Sequence, residues 1–298
     1  MKYGCIIIVF LLAPIHVLLP QDYQKISTHY FDFFFADYDR KVVRLLASES
    51  DTIAEEVMSD LGVESKKKIK VYITKGSEFQ KLQPYRNVLP DWVLGVAYHK
   101  LSLIILKSPG AVRRGRYDLK KTFIHELTHI LLGSTFRSDE HIPRWLNEGV
   151  AMYVSREWSF NRISTITQAV LTDSLLPLSE ITRTFPRQRK DVELAYCQSF
   201  YLISFMIAKY GREKFHNFIQ YYSKERMFEE ALLKIYGINL HRLEKSWHSY
   251  LKMKFSWIPI ITSTSTLWFL ITLIFLCGYI RKKRKAGLTL KEWEEEGH

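Results

Sequence analysis

Apolar positions recur along this chain in two rhythms, one helical and one alternating. From Ala36 to Leu61 they fall at helical spacing, with Val42, Val43, Leu45 and Leu46 followed by Ile53, Val57 and Leu61. The run stops at Gly62, which predicts one long helix with a glycine end. IKVYIT, residues 69–74, alternates and is rich in β-branched side chains, as a strand is. EFQKL at 78–82 reads as a short helix. VLGVAYHKLSLIILK at 93–107 reads as two strands, or one bent strand, around His99 and Lys100. The aromatic run YFDFFFADY at 30–38 reads as core and an N-terminal strand. After the loop SPGAVRRGRYD, a helix begins at Asp118 or Thr122, and almost everything from there to Lys254 has helical period. The pattern predicts an α+β domain: a small N-terminal mixed sheet with an early helix, then a helical half. No internal repeat or low-complexity linker interrupts it.

The two ends depart from this pattern. Residues 1–20 carry Lys2 and then an apolar run from Cys5 to Leu19, the length of a signal-peptide core or a short N-terminal anchor. Residues 258–280 hold no charged side chain and are followed at once by RKKRK at 281–285. A span of ~20 apolar residues bordered by basic residues predicts a transmembrane helix with its basic end in the cytoplasm. This divides the chain into an extracytoplasmic domain over 22–257, a transmembrane helix over 258–280 and a cytoplasmic basic tail over 281–298. The expectation is a single-pass protein of the cell membrane.

Composition adds two constraints. Cys5 and Cys277 fall in the terminal segments, so Cys197 is the lone thiol of the middle region, and that region must be held by its core without an internal disulfide. The chain carries a net charge of +12. The segment between the ends keeps most of it, which favours contact with an anionic membrane or envelope surface. No nucleic-acid-binding motif accompanies the charge, so nucleic acid is not expected as a partner.

The candidate chemistry lies in FIHELTHIL at 123–131. From this composition, chance would place roughly 0.02 H-E-x-x-H motifs in the chain. Histidines four apart share one face of a helix, so His125 and His129 can direct ring nitrogens at one ion. Glu126 is turned ~100° away, beside the ion, where a general base is needed. A catalytic zinc takes three protein ligands and leaves one position open. The third is Glu148 in HIPRWLNEGVAMYVS, separated from His129 by eighteen residues, on a second helix that starts near Pro143. His99, His141, His216, His241 and His248 read as rim, packing or surface residues.

At HELTH (125–129) and NEGVA (147–151) the chain resembles the gluzincin zinc metallopeptidases, the thermolysin-like fold. It is most similar to the aminopeptidase N type catalytic domain and to the smaller peptidase MA-like domains. AYCQSFYLISFMIAKYG at 195–211 is similar to a helix of that group whose tyrosine hydrogen-bonds the tetrahedral intermediate, and this likeness maps that role onto Tyr196. LLPLSEITRTFP before it and ALLKIYGINLHRLEKSWHSYLK after it follow the same resemblance.

The resemblance implies a Zn²⁺-dependent peptidase acting on peptides or proteins. His125, His129 and Glu148 would hold the ion, Glu126 would be the base, and Tyr196 would serve the oxyanion. The strand at Gly95, Val96 and Ala97 would present an edge to an extended peptide. Two departures stand out. The glutamate with which aminopeptidases of this type hold the substrate's free amine is missing from LGVAYHK. Met152 stands four after Glu148, where thermolysin-like relatives carry an aspartate. The rival expectation is a catalytically silent gluzincin-like module that binds or scaffolds at the cell envelope. An intramembrane protease is disfavoured by the charges flanking the motif helix.

Overall fold

The computed structural model describes residues 23–84, 89–90, 92–112, 117–136, 142–157, 160–186, 188–225, 227–256 and 264–296. The expected signal peptide or anchor at 1–20 lies outside the described residues, as does His141.

Five strands, β1 (Gln24–Ser27), β2 (Phe31–Phe35), β3 (Ile69–Thr74), β4 (Gly95–Tyr98) and β5 (Leu103–Lys107), form one sheet in the order β1-β2-β3-β5-β4. β2, β3 and β5 are parallel, while β1 and β4 pair antiparallel at the two margins, so the sheet is mixed as expected. Residues 93–107 resolve into the two-strand alternative. A single 3₁₀ turn at His99–Leu101 closes the hairpin, with Ser102 at φ +48°.

Strand alternation sends the two faces to different partners. Phe31, Phe33, Val71, Ile73, Ile104 and Leu106 join the main core with α1 (Arg40–Leu61) and α3 (Leu119–Thr135). The rings of Phe31 and Phe33 lie 5.2 and 5.9 Å from that of Phe123. Tyr72, Leu103 and Ile105 face the other way, beneath Phe79 of α2 (Gly76–Lys81).

α1 buries the stripe Val43, Leu46, Ile53, Val57 and Leu61 and ends where Gly62 takes φ +66°. The amide of Val63 reaches back to Met58 O at 3.0 Å to close the helix end. His216 packs over Gly62 and contacts Asp60 O at 2.8 Å, which fits a packing role.

The second half is helical: α4 (Arg144–Val154), α5 (Phe160–Leu171), the single turn α6 (Glu180–Arg183), α7 (Arg189–Tyr210), α8 (Arg212–Glu225), α9 (Phe228–Tyr236) and α10 (Leu240–Phe255). α4 packs between α3 and α7. The approach to α7 is close at Gly149, where a Cβ would meet Ser199 O at 2.5 Å.

The final helix, α11 (Thr264–Glu296), corrects the reading of the C-terminal segment. No helix among the described residues is long and apolar enough to cross a membrane. Its described part opens on the uncharged stretch from Thr264 to Ile280. The helix then continues without a break through the basic block to Glu296. Residues 258–263, which the predicted span required, lie outside the described residues.

Candidate metal centre

The site is built from two consecutive helices. Asp118 caps α3 by accepting from the Lys121 amide at 3.1 Å, which fixes the helix start seven residues before His125. Leu119, Phe123, Leu127, Ile130 and Leu131 bury one side of α3, and the face carrying His125 and His129 turns toward α4. Pro143 stands at the start of α4 with a fixed, non-helical backbone. One turn in, Glu148 projects between the histidines.

His125, His129 and Glu148 offer ligand atoms that all lie within 4.8 Å of one another, a group that could hold a metal ion. Both Nε2 atoms stand 3.7 Å from the same oxygen, Glu148 Oε2. Ligand atoms of a tetrahedral zinc site with bonds of ~2.0–2.1 Å stand about 3.3 Å apart, so the two 3.7 Å distances to Glu148 are close to that separation, and the group as a whole, spread over up to 4.8 Å, would draw in around the ion.

The other ring nitrogens are held as well. His125 Nδ1 lies 2.7 Å from Glu157 Oε1, and His129 Nδ1 lies 3.0 Å from Asn147 Oδ1. Partners of this kind fix ring orientation and leave Nε2 free for a metal. Glu157 does not come from the helix that carries Glu148. α4 ends at Val154, and Arg156 takes the left-handed conformation at φ +53°. The Glu157 amide then bonds back to Met152 O at 3.1 Å. This hairpin-like end returns the carboxylate beneath His125, where Ser155 Oγ and Arg162 Nη2 also bond it at 3.1 and 2.9 Å.

Sequence reasoning named the site residues but missed Glu157, Asn147 and Arg144. Arg144 carried a signal, being four residues before Glu148 on its own helix, whereas Asn147, one residue before it, faces His129 instead. Glu157 carried none, because a left-handed turn outside any periodic segment places it. Met152, at the position where relatives carry an aspartate, is fully buried.

The electrostatics follow from crowding three carboxylates against two imidazoles. Burial raises the Glu126 pKa, Glu148 and Glu157 add to the rise, and the value reaches about 7 despite His125. Burial opposes charge on His125, but Glu148 and Glu157 outweigh it and lift its pKa to about 10. Burial holds His129 down. Burial also works against ionised Glu157, yet His125 and Arg162 draw its pKa to about 2.

The sheet forms the opposite wall. A Cβ on Gly95 would meet Glu126 Cγ and Oε1 at 2.8 Å, so the general-base candidate rests directly on β4. Val96 and Ala97 follow on the same strand, whose outer edge ends the sheet. His99 lies further along, packed over Gly133 and away from the ligand cluster.

Tyr196, on α7, reaches the site too. Its hydroxyl accepts a hydrogen bond from Arg144, and its ring lies 5.0 Å from that of Phe185, edge to face. Burial and the nearby Glu148 raise its pKa, which keeps the hydroxyl protonated.

No curated protein sequence matches the chain. Among solved structures it is similar to leukotriene A4 hydrolase from Saccharomyces cerevisiae, with 16% identity and a TM-score of 0.48, over 77% of this chain and 39% of that one. It is also similar to a mutant M1 zinc metallopeptidase from Deinococcus radiodurans bound to a Tyr-Ser-Ala substrate, with 14% identity and a TM-score of 0.48, over 77% of this chain and 51% of that one. The chain therefore spans about half, or less, of these proteins. The sequence profile of the Peptidase MA superfamily matches residues 49–253, which include the ligand cluster, Glu157 and Tyr196, and the chain belongs to that superfamily.

Proposed function

We propose that the chain is a zinc-dependent peptidase. The observation that carries this reading is the convergence of His125, His129 and Glu148, with both outer ring nitrogens already engaged by Glu157 and Asn147. A zinc ion held by those three residues supplies Lewis acidity toward a peptide carbonyl and lowers the pKa of water.

The rest of the chemistry belongs to the chain's own side chains. Glu126, buried beside the cluster, takes a proton from the attacking water and returns it to the leaving amine. Tyr196 keeps its proton and donates it in a hydrogen bond to the developing oxyanion, a contribution typically worth ~3 kcal/mol. The edge of β4 at Gly95, Val96 and Ala97, the last strand of the described sheet, would offer backbone groups to an extended peptide, and the missing side chain of Gly95 makes room for Glu126 beside it.

The purified chain is expected to bind one zinc ion, and His129→Ala to abolish that binding with the fold retained by circular dichroism. Wild-type protein that takes up no zinc after dialysis against it would remove the basis of this reading.

A further inference from the structure

The carboxylates at the site are already engaged. Glu126 packs on Gly95, Glu148 faces both histidines, and Glu157 is divided between His125, Ser155 and Arg162. Nothing on β4, Gly95–Tyr98, supplies another. A free substrate amine thus finds no uncommitted acceptor of this kind among the described residues of the strand and the ligand cluster.

The two arginines of the site differ. Arg162 bonds both the carboxylate and the backbone carbonyl of Glu157 and is fixed in a supporting role. Arg144 has a side chain that is 45% exposed. Its guanidinium lies 5.2 Å over the ring of Phe185, with Nη2 at 3.3 Å from Glu148 Oε1 and a further hydrogen bond to Tyr196. A guanidinium has five N–H donors in a rigid fork, so among the described residues these two contacts occupy only part of the Arg144 fork, which stands beside Tyr196.

We propose that Arg144 anchors a carboxylate of the substrate, so that the site selects peptides bearing an acidic group next to the scissile bond and not peptides held by a free N-terminus. The proposal rests on the peptidase reading above and names its substrate class. The carboxylate has two sources, the peptide's C-terminus or an acidic side chain, and a planar fork suits either one.

The test uses the full chain carrying Glu126→Gln, loaded with zinc, so that peptides bind without being consumed. The probes are acetylated hexapeptide pools with the C-terminus free or amidated, pools with Glu or Gln at a fixed position, and one pool with a free N-terminus. Zinc content is measured before peptide is added. An acidic pool is expected to bind at least ~10-fold more tightly than its neutral counterpart, in line with hydrogen bonds to charged groups. The difference should vanish in Arg144→Met and shrink in Arg144→Lys, each compared with the parent at equal zinc loading. Preference for the free-acid pool identifies the C-terminus, and preference for the Glu pool identifies a side chain. The proposal is overturned by equal binding of acidic and neutral pools, by a preference that survives Arg144→Met, by tightest binding of the free-amine pool, or by no binding at all. A parent chain without zinc overturns the peptidase reading and this proposal with it.

Discussion

The two walls of the site are made of different material. The helical wall, α3, α4 and α7, contributes the side chains: His125, Glu126, His129, Arg144, Glu148 and Tyr196. The sheet wall contributes backbone and space, and its one close approach is a missing side chain at Gly95. Both walls use a glycine to bring elements together, but against different neighbours. At Gly149 an added Cβ meets a backbone carbonyl, Ser199 O, at 2.5 Å, which moves only if α7 moves. At Gly95 it meets the Glu126 side chain at 2.8 Å and a methyl of Leu106 at 2.9 Å. Chemistry is therefore set by helix packing, and access is set by the strand.

That contrast sets the order of the expected effects. Gly149→Ala should be the most costly, destabilising the fold by up to ~3 kcal/mol as an overpacked helix contact does. Its denaturant midpoint checks this, and a midpoint within error of wild type would show that the two helices are not locked there. Glu157→Ala should come next, lowering zinc affinity by ~10–100-fold through the loss of His125 orientation while the fold persists. Competition with a chromogenic chelator reads it, and unchanged affinity would remove Glu157 from the support of the site.

Gly95→Ala should spare most of the stability, because the neighbours it displaces are side chains. Its cost should appear as a fall in turnover of about tenfold, the consequence of moving a base by a fraction of an ångström. Equal losses of turnover in the two glycine variants after correction for folded fraction would erase the distinction between the walls.

The smallest effect lies far from both walls. Burial works to raise the Asp51 pKa, but the amides of Tyr30 and His29 and the hydroxyl of Thr28 outweigh it, so the folded value lies below the ordinary 3.8. A depressed carboxylate stabilises above its unfolded pKa, and that stability is lost as pH falls through the folded value. Asp51→Asn should therefore flatten the fall in melting temperature below about pH 4, and identical acid curves would rule out this anchor.

The sequence carried the regular elements well, because period alone marks them. α1, β3, the β4–β5 hairpin and α3 were all legible, and Gly62 and Asp118 marked helix ends that the structure uses. β1 was not legible, since QKIS is short and polar and acquires its shape from pairing with β2. The three metal-ligand candidates were legible from spacing, and Tyr196 from resemblance. Glu157 was not, because the turn at Arg156 that delivers it leaves no trace in a hydrophobic pattern. The C-terminal segment misled for a related reason: apolar composition predicted a span, but no helix among the described residues is long and apolar enough to cross a membrane, and the last one runs on into charge.

The central claim concerns Glu126, which the helical wall presents to the sheet wall. Zinc content and cleavage of a quenched fluorescent peptide pool, measured on one preparation of Glu126→Gln beside wild type, test it most directly. The account predicts equal zinc in both proteins and turnover lowered by roughly 10²–10⁴-fold in the variant. Equal zinc with wild-type turnover would contradict it.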